Sequence, residues 1–151
     1  MTLSLEVRGA IEALYAVFAV YRLDAPIEAC SHCHDRSELR TLEQTPLRQL
    51  DVNDLDHYVS CAMTTIGDVD DFRYFLPRLL EHLPEGKFQS DVPLVLGKLR
   101  YGDWCKWPRD EQASIRNYLR SVWCFVLAQP VNPSQYSPSR ADEWLCAIAN
   151  A

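Results

Sequence analysis

The chain has 151 residues, of which 48% are hydrophobic and 24% are charged, and its formal net charge is -6. This length fits a single domain with its own core, and the presence of only five glycines disfavours a turn-rich β-protein. The negative charge repels phosphate backbones, so we expect no nucleic-acid partner; a basic protein is the easier partner to accommodate.

The first apolar segment, AIEALYAVFAVY from Ala10 to Tyr21, is expected to be neither an export signal nor a membrane span. It is shorter than the roughly 20 residues that a span needs, Glu12 interrupts it, and no small-residue cleavage site follows. We therefore expect a cytoplasmic protein without membrane contact, whose six cysteines are reduced thiols. Helical spacing instead predicts a first helix from about Ser4 to Tyr21. Its buried seam is expected to contain Val7, Ile11, Leu14, Phe18 and Tyr21.

A cysteine-rich loop follows, and then a short helical segment is expected over residues 37–42, with a further turn through Leu50. A second long helix is predicted from residue 51 or 53 to residue 65 or 66. Because Gly67 leaves a very short connection, this helix and the next one are expected to pack as an antiparallel hairpin.

The clearest helix in the sequence is GDVDDFRYFLPRLLEHL, from Gly67 to Leu83. Its apolar residues recur at steps of three and four and form one stripe: Val69, Phe72, Leu76, Leu79, Leu80 and Leu83. Asp68 is the expected N-cap, with Asp70 and Asp71 in the first turn, where the helix dipole favours carboxylates. Pro77 predicts a kink in this helix or, alternatively, its division into two shorter helices.

Three further helices are predicted, over residues 91–101, from Pro108 onward, and from about Ser139 to the end, with a proline-rich loop at 129–138. The last helix should bury Trp144, Leu145 and Ile148. Because the chain stops inside this apolar segment, we expect a helical continuation beyond Ala151. The predicted fold is all-α: an irregular bundle or short solenoid-like stack of about six helices in one domain.

The densest group of metal ligands in the sequence is CSHCH, from Cys30 to His34, and His57 and Cys61 follow it. Two cysteines two residues apart can chelate one zinc ion from a tight turn, and ligands at positions i and i+4 share one helix face. His57 and Cys61 also lie opposite the apolar seam of their helix. The predicted ligands of a structural zinc are Cys30, Cys33, His57 and Cys61, with His34 or His32 as a substitute for His57.

Two other functions use the same residues and stay open. One is a metal-dependent hydrolase, in which Cys30, Cys33 and His34 hold an ion with an open coordination position near Asp70 or Asp71. The other is a redox sensor that uses Cys30 and Cys33 as a dithiol. The remaining cysteines are expected to be core residues rather than reactive thiols: Cys105, Cys124 and Cys146.

A second candidate site is the pair Trp104 and Trp107, beside Arg109. Aromatic and arginine side chains are common anchors of protein interfaces, so these residues are a candidate partner-binding surface. Large aromatic residues at a helix corner also fill space in a core, which is the alternative. The chain contains no GxxxxGK[ST], GxGxxG, HExxH or GxSxG pattern.

Four segments of the chain together resemble a family of small, uncharacterised bacterial proteins: CSHC, TPLRQL, HYVSCAMTTIGDVDDFRYFLPRLLEHL and LVLGKLRYGDWCKWP. The resemblance covers most of residues 30–108, and GDVDDFRYFLPRLLE is its most distinctive part. It implies a bacterial, cytosolic, all-helical protein, and it supplies no catalytic residue. The leading hypothesis is a non-enzymatic binding or adaptor protein, in which zinc shapes the cysteine-rich loop for a protein partner.

Overall fold

A computed structural model describes residues 2–130 and 140–151 of the chain. Within these residues the secondary structure is helical, apart from two isolated β-bridges. The α-helices are α1 (Leu5–Phe18), α2 (Arg36–Gln44), α3 (Val52–Cys61), α4 (Val69–His82), α5 (Val92–Tyr101), α6 (Arg109–Leu127) and α7 (Arg140–Asn150). The all-α prediction is therefore confirmed, with seven helices in the described ranges where about six were expected.

The helices pack around one hydrophobic cluster, to which each of α1 to α7 contributes buried residues. The most extensive contacts join α1 to α6 and α5 to α7, and α1 also packs against α4. On α1 the predicted seam is buried from Val7 to Phe18, and Tyr21, which lies beyond the helix end, is half-buried. Among the described helices, none combines the length and the apolarity that crossing a membrane requires.

Helix α4 begins as its sequence predicts. The Asp68 carboxylate accepts hydrogen bonds from the backbone amides of Asp70 and Asp71, at 2.8 and 3.0 Å. The Asp71 carboxylate in turn accepts a hydrogen bond from the backbone amide of Asp68. The helix then runs without interruption through Pro77, so the alternative of two shorter helices is wrong. The buried apolar residues on both sides of Pro77 share the same core, which holds the two halves together.

Helix α3 ends at Cys61, four or five residues earlier than predicted. The chain after it turns away to pair with the loop before α2: the amide of Cys30 donates to the Thr65 carbonyl at 2.9 Å, and the amide of Gly67 donates to the Glu28 carbonyl at 2.7 Å. Gly67 has a left-handed conformation, with φ of 64°, which glycine adopts readily. These bonds fix the cysteine-rich loop beside the end of α3.

The C-terminal part corrects two details of the prediction. Pro108 precedes α6 as its N-cap residue instead of lying in its first turn. On α7, Trp144 is buried as predicted, but Leu145 is 54% exposed and Ala147 takes the buried position. Ile148 is half-buried. Most of the predicted proline-rich loop lies outside the described residues.

The three cysteines expected in the core are exposed instead: Cys105, Cys124 and Cys146. On α6 the reason is the phase of the helix. Val122, Phe125 and Val126 face the core, and Cys124 therefore lies on the solvent side. None of these thiols is a packing residue.

Candidate metal centre

The cysteine-rich loop brings His34 to α3. The carbonyl oxygen of Cys30 accepts hydrogen bonds from the amides of Cys33 and His34, both at 3.0 Å, so the chain makes a tight turn. This turn directs the His34 side chain inward, where it is only 4% exposed. On the facing helix, His57 and Cys61 are one turn apart and share a face. Three potential ligands thus converge between the loop and α3.

The ligand atoms of His34, His57 and Cys61 all lie within 4.8 Å of one another. Nδ1 of His34 and Nε2 of His57 are 3.4 Å apart. Two nitrogen ligands at 2.0–2.1 Å from one tetrahedral zinc ion are about 3.4 Å apart, by simple trigonometry. The imidazole pair therefore has the spacing that a single zinc ion requires.

A hydrogen bond behind His34 orients its ring. Nε2 of His34 lies 2.8 Å from Oγ1 of Thr65, in the segment that anchors the loop. With the proton on Nε2 as the donor, Nδ1 keeps its lone pair and directs it toward His57. Histidine ligands of metals are commonly held in this way through their second nitrogen.

Glu38 lies beside this group, next to its two histidines, and the sequence interpretation missed it. Its Oε2 lies 3.5 Å from Nδ1 of His34 and 3.8 Å from Nε2 of His57. The side chain is 49% exposed, so it has room to adjust toward an ion. The signal was present in the sequence, because His34 and Glu38 have the same spacing of four residues as His57 and Cys61.

Cys30 and Cys33, which the sequence places first among the ligands, are exposed and do not belong to the group formed by His34, His57 and Cys61. A hydrogen bond from the Cys33 thiol, followed by the amides of His32 and Cys33, holds the pKa of Cys30 below its usual range. The same thiol contact raises the pKa of Cys33. The thiols of Cys30 and Cys33 therefore interact with each other at the exposed edge of the loop.

His32 is also exposed and outside the group. His34, predicted as a substitute for His57, instead lies beside it. The two histidines approach edge to face, with ring centroids 5.3 Å apart. Both imidazoles are therefore available to one ion.

Comparisons of the chain with protein-family models, with curated proteins and with solved structures find no match. The resemblance to a family of small bacterial proteins therefore stays a prediction. What the protein does has to be inferred from the geometry of its own residues.

Lys98 stabilises the end of α3, next to Cys61. Nζ of Lys98 donates to the carbonyl oxygens of Ser60 and Ala62, at 3.1 and 2.9 Å. Partial burial lowers the pKa of Lys98, and the nearby Cys61 opposes that shift.

The acidic residues at the start of α4, which the hydrolase hypothesis places near the ion, take part in helix capping and in an ion pair. Asp68 and Asp71 complete the capping box, and Asp70 forms an ion pair with Arg73 at 3.0 Å. Partial burial raises the pKa of Asp71. These carboxylates stabilise the helix start, as expected from the sequence.

Two of the three residues predicted to form a partner-binding surface are buried. Trp104 and Trp107 are only 7% and 5% exposed. Their indole N–H groups donate inside the protein, to the carbonyls of Ala151 at 3.2 Å and Gly102 at 2.8 Å. The two rings fill the core at the corner before α6, which leaves only Arg109 of the predicted set exposed.

Proposed function

We propose that this protein binds one zinc ion through His34, Glu38, His57 and Cys61. The observation that carries this proposal is the 3.4 Å separation of the two imidazole nitrogens, with a thiol in the same group. Two nitrogen atoms, one sulfur atom and one carboxylate oxygen are all donors that zinc accepts. Four protein ligands would leave no open position, so the proposed role of the ion is structural.

The ion would join three segments of the chain. His34 ends the cysteine-rich loop, Glu38 lies in the first turn of α2, and the other two ligands project from α3. The ligand carboxylate and thiolate together would balance the double positive charge of zinc. Since a ligand that binds only the folded state stabilises it, zinc should raise the free energy of unfolding.

Two surface cavities would let the ion enter. One, of about 470 Å³, is lined in part by Cys33 and His34. The other, of about 320 Å³, is lined in part by Glu38 and His57. Both sides of the proposed site are therefore open to solvent before the ion binds.

The function that we propose for this assembly is that of a non-enzymatic binding or adaptor protein, with the zinc-fastened loop as its recognition element. Ser31, His32 and Cys33 at the tip of the loop are exposed. The formal net charge of -6 favours a basic protein partner. Affinity isolation with the immobilised zinc-loaded chain should recover basic proteins that salt releases, and recovery of background alone would contradict this role.

Cobalt substitution tests the ligand set. Chelator-stripped protein is titrated with Co²⁺, whose visible bands report tetrahedral geometry and whose near-ultraviolet charge-transfer band reports thiolate ligands. We expect saturation at one ion per chain, with tetrahedral bands and a charge-transfer intensity typical of one thiolate. The Cys61→Ser variant should lose the charge-transfer band, while the Cys124→Ser control, which removes an exposed thiol of α6, should keep it.

The Cys30→Ser and Cys33→Ser variants distinguish the two sets of ligands. With the proposed set, both variants keep the full charge-transfer intensity. If either variant lost part of it, the ligands would include the cysteine pair predicted from the sequence, and the set built on Glu38 would be wrong. Absence of any tetrahedral spectrum in the wild type would contradict the metal site itself.

A further inference from the structure

The two exposed cysteines at the rim of the metal centre lie at the ends of one tight turn. The amide of Cys33 donates to the carbonyl of Cys30 at 3.0 Å, which closes a four-residue turn. The Cα atoms at the ends of such a turn are less than about 7 Å apart. Disulfides join residues whose Cα atoms are about 4.4–6.8 Å apart. The backbone therefore already holds the pair within the range that a disulfide needs.

The turn is also fixed to the rest of the protein. The amide of Cys30 donates to the Thr65 carbonyl at 2.9 Å, and Ala29 forms a bridge with Ile66. Both thiols remain exposed on this anchored segment. An external thiol reagent can reach either sulfur atom without unfolding of the chain.

We propose that Cys30 and Cys33 are a redox modification site, which a low-molecular-weight disulfide such as glutathione disulfide oxidises to an intramolecular disulfide. The thiolate of one cysteine attacks a sulfur of glutathione disulfide, whose S–S bond breaks, and one glutathione leaves and takes up a proton. The second cysteine gives its proton to solvent and attacks the mixed disulfide, which releases the second glutathione. Two protein thiols are oxidised, and one glutathione disulfide is reduced to two glutathione thiols.

The second step favours this pair over the other exposed thiols. Because the attacking cysteine is held at the other end of the same turn, its effective concentration is far above that of free glutathione. The remaining exposed cysteines have no cysteine three positions away in the sequence: Cys105, Cys124 and Cys146. They can form mixed disulfides with glutathione but lack this local route to an internal one.

The test is a redox titration of the full chain in glutathione buffers of increasing disulfide fraction. The samples are quenched with an alkylating reagent, and the tryptic peptide of residues 23–36, which carries both cysteines, is analysed by mass spectrometry. We expect this peptide to lose two hydrogen atoms and all alkylation at buffer ratios where the three other exposed cysteines are still mostly alkylated. Equal alkylation of all five cysteines at every ratio, or two glutathiones on this peptide, would overturn the proposal.

Two variants check the order of events. Cys30→Ser and Cys33→Ser each leave one thiol of the pair, so each should accumulate a stable mixed disulfide with glutathione. The titration is run on zinc-free and zinc-loaded protein, since neither cysteine is a proposed zinc ligand. If zinc prevented oxidation of Cys30 and Cys33, the proposed ligand set would be wrong. If the disulfide failed to form in the zinc-free protein, the redox site alone would be overturned.

Discussion

Two clusters of charged and titratable side chains in this protein differ in what supplies their positive charge. The core ion cluster consists of Tyr21, Arg73 and Glu111. Oε1 of Glu111 accepts a hydrogen bond from the Tyr21 hydroxyl at 2.6 Å, and Oε2 lies 3.7 Å from Nε of Arg73. The Glu111 side chain is 4% exposed, so its counter-ion is part of the core.

The proposed metal centre, with His34, Glu38, His57 and Cys61 as its ligands, lies nearer to the surface. Its carboxylate, that of Glu38, is 49% exposed and faces two imidazoles. In the described part of the chain, no lysine or arginine forms an ion pair with Glu38. The donor atoms converge, and Lys98, which interacts electrostatically with Cys61, donates to the backbone carbonyls of Ser60 and Ala62.

The comparison of Glu111 with Glu38 shows when a carboxylate needs a counter-ion from the protein itself. An isolated carboxylate in an apolar core is very costly, so Glu111 can be buried only with its guanidinium and hydroxyl partners. A half-exposed carboxylate such as Glu38 is solvated by water until an ion arrives. The convergence of lone pairs beside an exposed carboxylate supports the proposed metal site, whereas the buried pair of Glu111 and Arg73 contributes to the core.

The largest effect is expected from Glu111→Ala. Removal of one member of a buried ion pair costs about 3–5 kcal/mol, because the other charge stays buried without its partner. Arg73 keeps its 3.0 Å contact with Asp70, so we expect a loss near the lower end of this range. Urea unfolding measures it. Glu38→Ala in zinc-free protein is the matched control, with an expected loss below about 1 kcal/mol, and similar losses in the two variants would contradict the comparison.

Removal of zinc should destabilise the protein only through the metal centre. At a free zinc concentration of about 100 times the dissociation constant, the bound ion contributes about 2.7 kcal/mol to the free energy of unfolding. Adding a chelator should abolish this contribution in the wild type and in Glu111→Ala. Cys61→Ser should show no response to chelator, and an undiminished response there would show that zinc acts elsewhere.

Tyr21→Phe weakens the core ion cluster without removing a charge. The hydroxyl donates to a carboxylate, and such hydrogen bonds contribute about 1.5–3 kcal/mol. Burial and then the Glu111 contact raise the pKa of Tyr21 to about 12. Because this pKa is raised on folding, the contribution is fully present below pH 10 and is lost as the pH rises toward 12. Urea unfolding at pH 8 should therefore show the loss, with unchanged zinc content, and an unchanged stability would contradict the role of this bond.

Thr65→Val tests the hydrogen bond that orients His34. The substitution keeps the shape of the side chain but removes the oxygen that lies 2.8 Å from Nε2 of His34. Loss of such a partner typically weakens metal binding 10- to 100-fold. Competition with a chromophoric chelator measures the change, for which Thr45→Val, at the residue after α2, is the control. Equal zinc affinities of the two variants would remove Thr65 from the site.

The smallest effect concerns His82, a buried histidine outside both clusters. Burial, and then the nearby Arg78, lowers the pKa of His82. Since the folded state disfavours the charged ring, the contribution of His82 is present above its ordinary pKa of 6.5 and is lost as the pH falls toward the lowered value. In chelator, the wild type should lose more stability on acidification from pH 7.5 to about 5 than His82→Gln does. Parallel losses would show that other groups dominate.

The fold was largely predictable because helices such as α4 carry a regular apolar stripe and a clear N-cap. The prediction was wrong where tertiary contacts decide the outcome. The end of α3 depends on the pairing of Thr65 and Gly67 with a loop more than 30 residues earlier in the chain. Leu145 was misplaced because a short helix with apolar residues on several faces has no unique phase.

The candidate site was predictable only in part, for a related reason. His57 and Cys61 lie on one helix, whose geometry relates their side chains directly. The direction of His34 depends on a turn and on Thr65, which are tertiary features. Its spacing of four residues from Glu38 could have been noticed in the sequence, but only the structure places the two beside α3.

The central claim is tested most directly by the zinc content of protein purified without chelator, measured by elemental analysis in the wild type, Cys61→Ser and Cys124→Ser. The two substitutions remove one thiol each, and only the first removes a proposed ligand. We expect about one zinc per chain in the wild type and in Cys124→Ser, as one four-ligand site requires, and almost none in Cys61→Ser. Absence of zinc from the wild type, or an equal content in all three proteins, would contradict the metal centre.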